Sequence, residues 1–198
     1  MFTPAALSAT LEFMATLDPK RRSDMAYIQQ ASSRLPEERR TAVQRAFTTM
    51  FGGMPKEQLT QDLTKAVDYL NAQSFVKIGK FGNVGFCFGG GMSLSLACHA
   101  RLAACVVFYG ENPAPIELVE NIACPVLGLY GADDVRVSQH LDSLVKAMAD
   151  YRKDFETRIY PGAGHAFFND SNPATYREAA AREAWERVLG FYRRTLEV

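Results

Sequence analysis

Through the first seventy-odd residues, apolar positions recur every three or four residues. Leu7, Leu11 and Met14 follow the pair Thr3-Pro4, and Met25 and Ile28 follow Asp18-Pro19. Val43, Phe47 and Met50 follow Pro36-Glu37-Glu38 and run to Gly52-Gly53, while Leu59, Leu63, Val67 and Leu70 follow Pro55-Lys56-Glu57. Each group is a helical stripe opened by proline, whose missing N–H costs nothing in a first turn and whose φ suits it. The spacing predicts four helices and no strand before residue 73.

The period then changes. Short apolar runs at Asn83–Cys87, Cys105–Tyr109, Pro125–Tyr130 and Phe155–Tyr160 alternate with helical patterns at Gly90–Ala100, Ile116–Asn121, Ser138–Asp150 and Ala174–Leu196. Runs this short, without clean polar alternation, predict strands covered on both faces. Strand–helix alternation predicts right-handed crossovers and a parallel sheet. The expected fold class is α/β, with one domain over residues 1–198. A helical N-terminal segment at 1–73 precedes a sheet core of about four strands at 74–198.

Charge removes several classes of function. Lys+Arg and Asp+Glu number 22 each in 198 residues, so the charge balance makes no electrostatic case for nucleic acid, an anionic membrane or a polyacidic partner. No stretch reaches the roughly 20 apolar residues that span a bilayer. Glu12 interrupts the only apolar run near the start, and no signal-peptide pattern is read there. Cys87, Cys98, Cys105 and Cys124 show no CxxC spacing. Free thiols in a cytoplasmic protein are expected, rather than a disulfide framework or structural zinc.

The strongest local signal is Gly85-Phe86-Cys87-Phe88-Gly89, followed by Gly90 and Gly91, between a predicted strand and a predicted helix. A nucleophile elbow needs such a junction: small neighbours let the chain turn sharply, and the helix N-terminus aims free N–H groups at the reactive atom. That field favours a thiolate, although a buried cysteine in a glycine-rich turn is the plainer reading of the motif alone. Two further strands supply partners. One runs into Gly131-Ala132-Asp133-Asp134 and the other into Pro161-Gly162-Ala163-Gly164-His165. In parallel sheets chemistry gathers past the strands' carboxyl ends. The order nucleophile, acid, histidine is that of α/β-hydrolases. The expected roles are Cys87 as nucleophile, His165 as base and acid, and Asp133 or Asp134 as the group orienting the imidazole.

These stretches, Gly85-Phe86-Cys87-Phe88-Gly89-Gly90, Gly-x-x-Asp after a strand and Pro-Gly-x-x-His-x-Phe, resemble the dienelactone hydrolase family over roughly Lys56 to the C-terminus. The resemblance implies an α/β-hydrolase fold and a Cys87–His165–Asp134 triad acting on small esters or lactones without cofactor or metal. It selects Asp134, the third residue after the glycine. It also makes the Phe88 N–H an oxyanion-hole donor. The family's further N-terminal strands, which carry the second oxyanion donor and a glutamate near the nucleophile, have no counterpart in the helical pattern here. Dienelactone hydrolases hold the substrate carboxylate with arginines, one of them four residues past the histidine. Asn169 stands there in this chain. Arg21, Arg22, Arg34 and Arg136 are the alternative cations, read as surface charges.

Phe86, Phe88, Phe167 and Phe168 flank the triad, and Tyr109 and Glu111 follow the second strand. Phe86, Tyr109 and Phe167 are taken as the substrate-binding set, with core packing or an ordinary loop as the competing reading. His99 and His140 are expected to be surface or packing histidines, and Cys98, Cys105 and Cys124 core residues. With no earlier strand, the strand leading to Cys87 is expected to need cover from the N-terminal helices or from a second copy in a homodimer. The expected function is hydrolysis of small esters or lactones. The alternatives are a weak or inactive relative with a structural role, and a redox-sensing thiol at Cys87.

Overall fold

The computed structural model describes residues 4–18, 21, 25–51 and 55–196, and the chain forms two compact units, 1–55 and 56–198. The first holds α1 (Pro4–Thr16), α2 (Met25–Ser32) and α3 (Glu37–Phe51). Phe13, Leu17, Ile28 and Val43 make its small core. Glu37 and Glu38 occupy the first turn of α3, where the partial positive charge of the helix start favours carboxylates. Thr3, Pro19, Arg22, Gly52 and Gly53, read above as helix signals or candidate cations, lie outside the described residues.

The second unit runs α4 (Lys56–Asn71), β1 (Gly82–Phe86), α5 (Phe88–His99), β2 (Ala104–Phe108), β3 (Val126–Gly131), α6 (Val135–Ser138), α7 (Leu141–Asp150), β4 (Phe155–Tyr160) and α8 (Glu178–Leu196). A 3-10 helix spans Ile116–Asn121. The four strands form one parallel sheet in the order β1-β2-β3-β4. The predicted strands fall within a residue of these at each end. Thus α4, grouped by its pattern with the N-terminal helices, belongs to the sheet unit.

Because the sheet grows in one direction, right-handed crossovers place every connecting helix on the same face. Side chains of α4, α5, the 3-10 helix and α7 accordingly form one core with Cys105 and Val107 of β2 and Val126 and Tyr130 of β3. The alternate residues Ala104, Val106, Phe108, Leu127 and Leu129 face the other way and pack on Ala184, Val188 and Phe191 of α8. The final helix therefore covers the face that the crossovers leave bare.

Three expectations need correction. Burial on both faces holds for β2 and β3 along their whole length. It fails for β1 and β4, which sit at the sheet's edges and leave Val84, Phe86 and Ile159 exposed. The helix expected over Ser138–Asp150 starts only at Leu141, since the short α6 ends before His140. The last helix starts at Glu178 rather than Ala174. Asn172 organises the intervening turn, its Oδ1 accepting from the Ala174 N–H and its carbonyl from the Tyr176 N–H. No described helix is long and apolar enough to cross a membrane.

Candidate active site

Cys87 follows β1 directly, with φ 56° and ψ −120°, a positive φ that L-residues seldom adopt. The turn is held on both sides. The Cys87 N–H donates to the Phe108 carbonyl of β2, and its own carbonyl accepts from the Gly90 and Gly91 N–H groups. The helix thus starts immediately after Cys87, two residues earlier than the periodicity predicts. Gly85 is what lets β1 and α5 meet so closely: a Cβ there would lie 1.9 Å from the Gly89 carbonyl oxygen and 2.5 Å from Ser93 Oγ. The Cys87 side chain is left exposed at the N-terminus of α5.

Of the two adjacent aspartates, Asp134 is buried and Asp133 exposed. Asp134 sits at the start of α6 but makes no side-chain cap to it. Its Oδ2 instead meets His165 Nδ1 at 2.6 Å, and His165 Nε2 meets Cys87 Sγ at 3.0 Å. The loops bearing Asp134 and His165 are tied by backbone bonds: Ala132 N–H donates to Tyr160 and Asp133 N–H to Ala163. The three groups from three strand ends therefore form one continuous hydrogen-bonded line.

The charges fit that line. Burial pushes the Cys87 thiol up, but the His165 hydrogen bond and charge, the Phe88 N–H and the charge of Arg136 outweigh it and leave the pKa below its ordinary 9.0. Burial pulls His165 down, yet its hydrogen bonds and charge interactions with Asp134 and Cys87 raise it from 6.5 to about 9. Opposite shifts in a bonded pair, the thiol lowered and the imidazole raised, favour the thiolate–imidazolium form of the pair. Phe88 contributes its backbone N–H at the sulfur.

The line opens into a cleft of about 700 Å³ lined by Phe86, Tyr109, Phe168, Tyr176 and Trp185 among others. Tyr109 packs edge-on against His165 at 5.1 Å. Burial and the nearby Cys87 push its hydroxyl up, so it stays protonated. Phe167, expected as a pocket wall, is instead fully buried against Phe108, Tyr109 and Tyr160. The chain turns at Ala166, whose φ is 60°, and the neighbouring Phe168 faces the cleft. Tyr176 and Trp185 were not singled out as site residues. Trp185 lies four residues after the buried Ala181 and three before the buried Val188, so its spacing reads as the apolar stripe of α8 and gave no signal of a place in the cleft.

The remaining candidates take ordinary places. Glu111 pairs with Lys56 and Arg136, which explains its lowered pKa against the opposing effect of burial. Asn169 lines the cleft, its Oδ1 accepting from Ser171 Oγ at 2.6 Å. Arg21 lies over the Tyr27 ring in the other unit, and Arg34 is exposed there. His99 Nδ1 meets the Ser95 carbonyl, and exposed His140 precedes α7. Cys98, Cys105 and Cys124 are buried free thiols whose pKa values burial raises.

Comparison with known proteins agrees with this geometry. A Saccharolobus solfataricus protein named "Putative carboxymethylenebutenolidase" is 39% identical over 90% of this chain and 67% of its own length. The crystal structure of a "Putative Dienelactone Hydrolase" from Klebsiella pneumoniae superposes with a TM-score of 0.67 at 28% identity, over 74% of this chain and 65% of that one. A dienelactone hydrolase-like promiscuous phosphotriesterase from metagenomic libraries shares the fold with a TM-score of 0.62 at 22% identity, over 98% of this chain and 70% of its own. The chain thus spans about two thirds of the length of these relatives. The model of the dienelactone hydrolase family matches residues 24–196, which starts upstream of Lys56 and takes in α2 and α3 but not α1. With its elbow cysteine, its Gly-x-x-Asp and its Pro-Gly-x-x-His loop brought together past the sheet, the chain belongs to the dienelactone hydrolase family.

Proposed function

We propose that the protein hydrolyses small carboxylic esters or lactones, with Cys87 as nucleophile, His165 as general base and acid, and Asp134 as the residue that orients the imidazole. The observation that carries this is the unbroken line from Cys87 Sγ through His165 to the buried Asp134 carboxylate. The thiolate attacks the ester carbonyl carbon, and the oxygen gathers negative charge against the Phe88 N–H at the positive end of α5. Collapse breaks the C–O bond, His165 gives its proton to the departing alkoxide, and a thioester remains on Cys87. His165 then takes a proton from water, which attacks the thioester. The acid leaves and the thiolate–imidazolium pair is restored. Asp134 keeps the Nδ1–H tautomer in place throughout and supports the imidazolium charge. Phe86 and Tyr109 line the space where the substrate sits. The name of the Saccharolobus relative supports the lactone side of this reading.

The pair's titration gives a direct test. The lowered thiol should make Cys87 react with iodoacetamide faster at pH 7 than an ordinary thiol does, with the rate falling as acidification protonates the sulfur. In His165→Ala the thiolate loses its hydrogen bond and its neighbouring positive charge, keeping only the Phe88 N–H and the charge of Arg136 against burial, and the midpoint should move up. Alkylation at pH 7 should then fall by roughly tenfold or more. The three buried thiols should contribute little. Hydrolysis of short-chain aryl esters and enol lactones should be lost in the same variant. Fast alkylation without turnover by the wild type would favour the redox-thiol alternative, and slow alkylation without turnover a weak relative.

The same reading covers assembly and location. β1 is an edge strand with Val84 exposed, and pairing with a second copy would satisfy its outward N–H and C=O groups. A homodimer mass in sedimentation at micromolar protein is the expected result, and a monomer across the concentration range would remove this part. Four free thiols fit a cytoplasmic setting.

A further inference from the structure

The triad chemistry leaves unexplained the rings that lead away from it. From Cys87 outward, Phe86 packs on Phe168 at 5.3 Å, and Phe168 on Trp185 of α8 at 5.9 Å. Phe86 is nonetheless 37% exposed and Trp185 41% exposed, both lining the cleft. Large rings left half in water along one wall present apolar faces that a flat ligand can cover, and ring–ring contacts reward that geometry specifically. The cleft's volume of about 700 Å³ suits a small molecule.

The charged groups of the cleft point to the kind of ring. Asp170 and Glu186 line it with two carboxylates, and Arg182 with one guanidinium that lies 4.0 Å from Glu178. The neutral Asn169 adds no positive charge. A ligand carboxylate placed here meets net negative charge and must compete with Glu178 for the cation.

We propose that the Phe86–Phe168–Trp185 wall is an aryl-binding subsite, holding the ring of an uncharged aromatic ester with its carbonyl at Cys87 and discriminating against esters that carry a carboxylate. This rests on the hydrolase reading above and names the substrate class for it.

Trp185 is the chain's single tryptophan, so its fluorescence reports on this wall alone. The full chain carrying Cys87→Ala is titrated with 4-bromophenyl acetate, whose heavy atom quenches tryptophan, and with 4-acetoxybenzoate as the anionic counterpart. A saturable quench is expected from the bromophenyl ester. The anionic ester should compete about tenfold more weakly than phenyl acetate. Adding Phe168→Ala should raise the half-saturation about fivefold or more. Independently, Trp185→Ala in the otherwise native chain should cut the kcat/KM preference for phenyl acetate over ethyl acetate about tenfold, chiefly through KM. A linear, collisional quench, equal binding of the anionic ester, or an unchanged preference in Trp185→Ala overturns the subsite. If the native chain hydrolyses no ester, the hydrolase reading fails, and the quench titration still decides the subsite by itself.

Discussion

Cys87→Ala is expected to lower ester or lactone turnover roughly 10⁴- to 10⁶-fold, the largest effect of any single change. The size follows from what stands at the elbow. The sulfur is the atom on the hydrogen-bonded line placed to form the acyl intermediate, and among the described residues it is the hydrogen-bond partner at the cleft end of the His165 ring. Deleting the nucleophile leaves His165 and Asp134 bonded to each other but with nothing to activate except water. For the same reason the losses should not add: Cys87→Ala combined with His165→Ala should be no slower than the worse single variant, within a few fold. Losses that multiply would mean that the two groups act in separate steps. Steady-state kinetics on phenyl acetate, with folding checked by circular dichroism, decide the matter. Cys87→Ser belongs in the same series. A serine hydroxyl lacks the thiol's low pKa, so His165 must remove its proton during attack instead of sharing an ion pair beforehand. Turnover below the native level and above that of Cys87→Ala is expected.

The sequence makes this site legible because its parts are covalently local. Each of Cys87, Asp134 and His165 sits within a few residues of its own strand end, and parallel strands bring such ends together without any knowledge of loop shape. The choice between Asp133 and Asp134 was not legible from local chemistry, because it depends on which carboxylate the turn after β3 directs inward. The cleft wall was less legible still. Phe167 and Phe168 are adjacent and chemically alike, and only the backbone turn after Ala166, itself at φ 60°, sends one into the core and the other to the cleft. Trp185 reaches the site from a helix that the chain adds after β4, so its distance from Cys87 is set entirely by packing. The exposure of β1 shares this origin, since an apolar run does not reveal whether its strand is central or at an edge, whereas β4 carries Glu156, Thr157 and Arg158, which suit an edge. α6 and α7 parted for a smaller reason, since a pattern of apolar spacing does not register the two-residue turn of Gln139 and His140 between them.

Gly85→Ala and Gly89→Ala separate the two flanking glycines of the elbow, which look equivalent in the sequence. At Gly85 a methyl group would lie 1.9 Å from the Gly89 carbonyl oxygen, a backbone atom of the helix that must stay where it is for Cys87 to keep its turn. No rotamer change relieves that contact. Either β1 and α5 part, opening the well-packed seam at Ser93, or the elbow unwinds. A cost of roughly 3 kcal/mol or more is expected, at the upper end of overpacking effects, read as a lower urea midpoint at constant slope. Displacement of the sulfur by about 1 Å should add a loss near 10²-fold in turnover among the molecules that remain folded. Gly89, by contrast, meets nothing within 4 Å and lies in the first turn of α5. Alanine there should be neutral or stabilising by up to about 1 kcal/mol, because it removes backbone freedom from the unfolded chain and favours the helix. Its effect on turnover should be small. Equal tolerance at both positions would mean that β1 and α5 are not clamped together, and the strained geometry of Cys87 would then need another support. Unequal tolerance in the expected direction ties the chemistry to the fold. Cys87 is held at an unfavourable φ because one side-chain-free residue, Gly85, lets a helix start against the strand that precedes it.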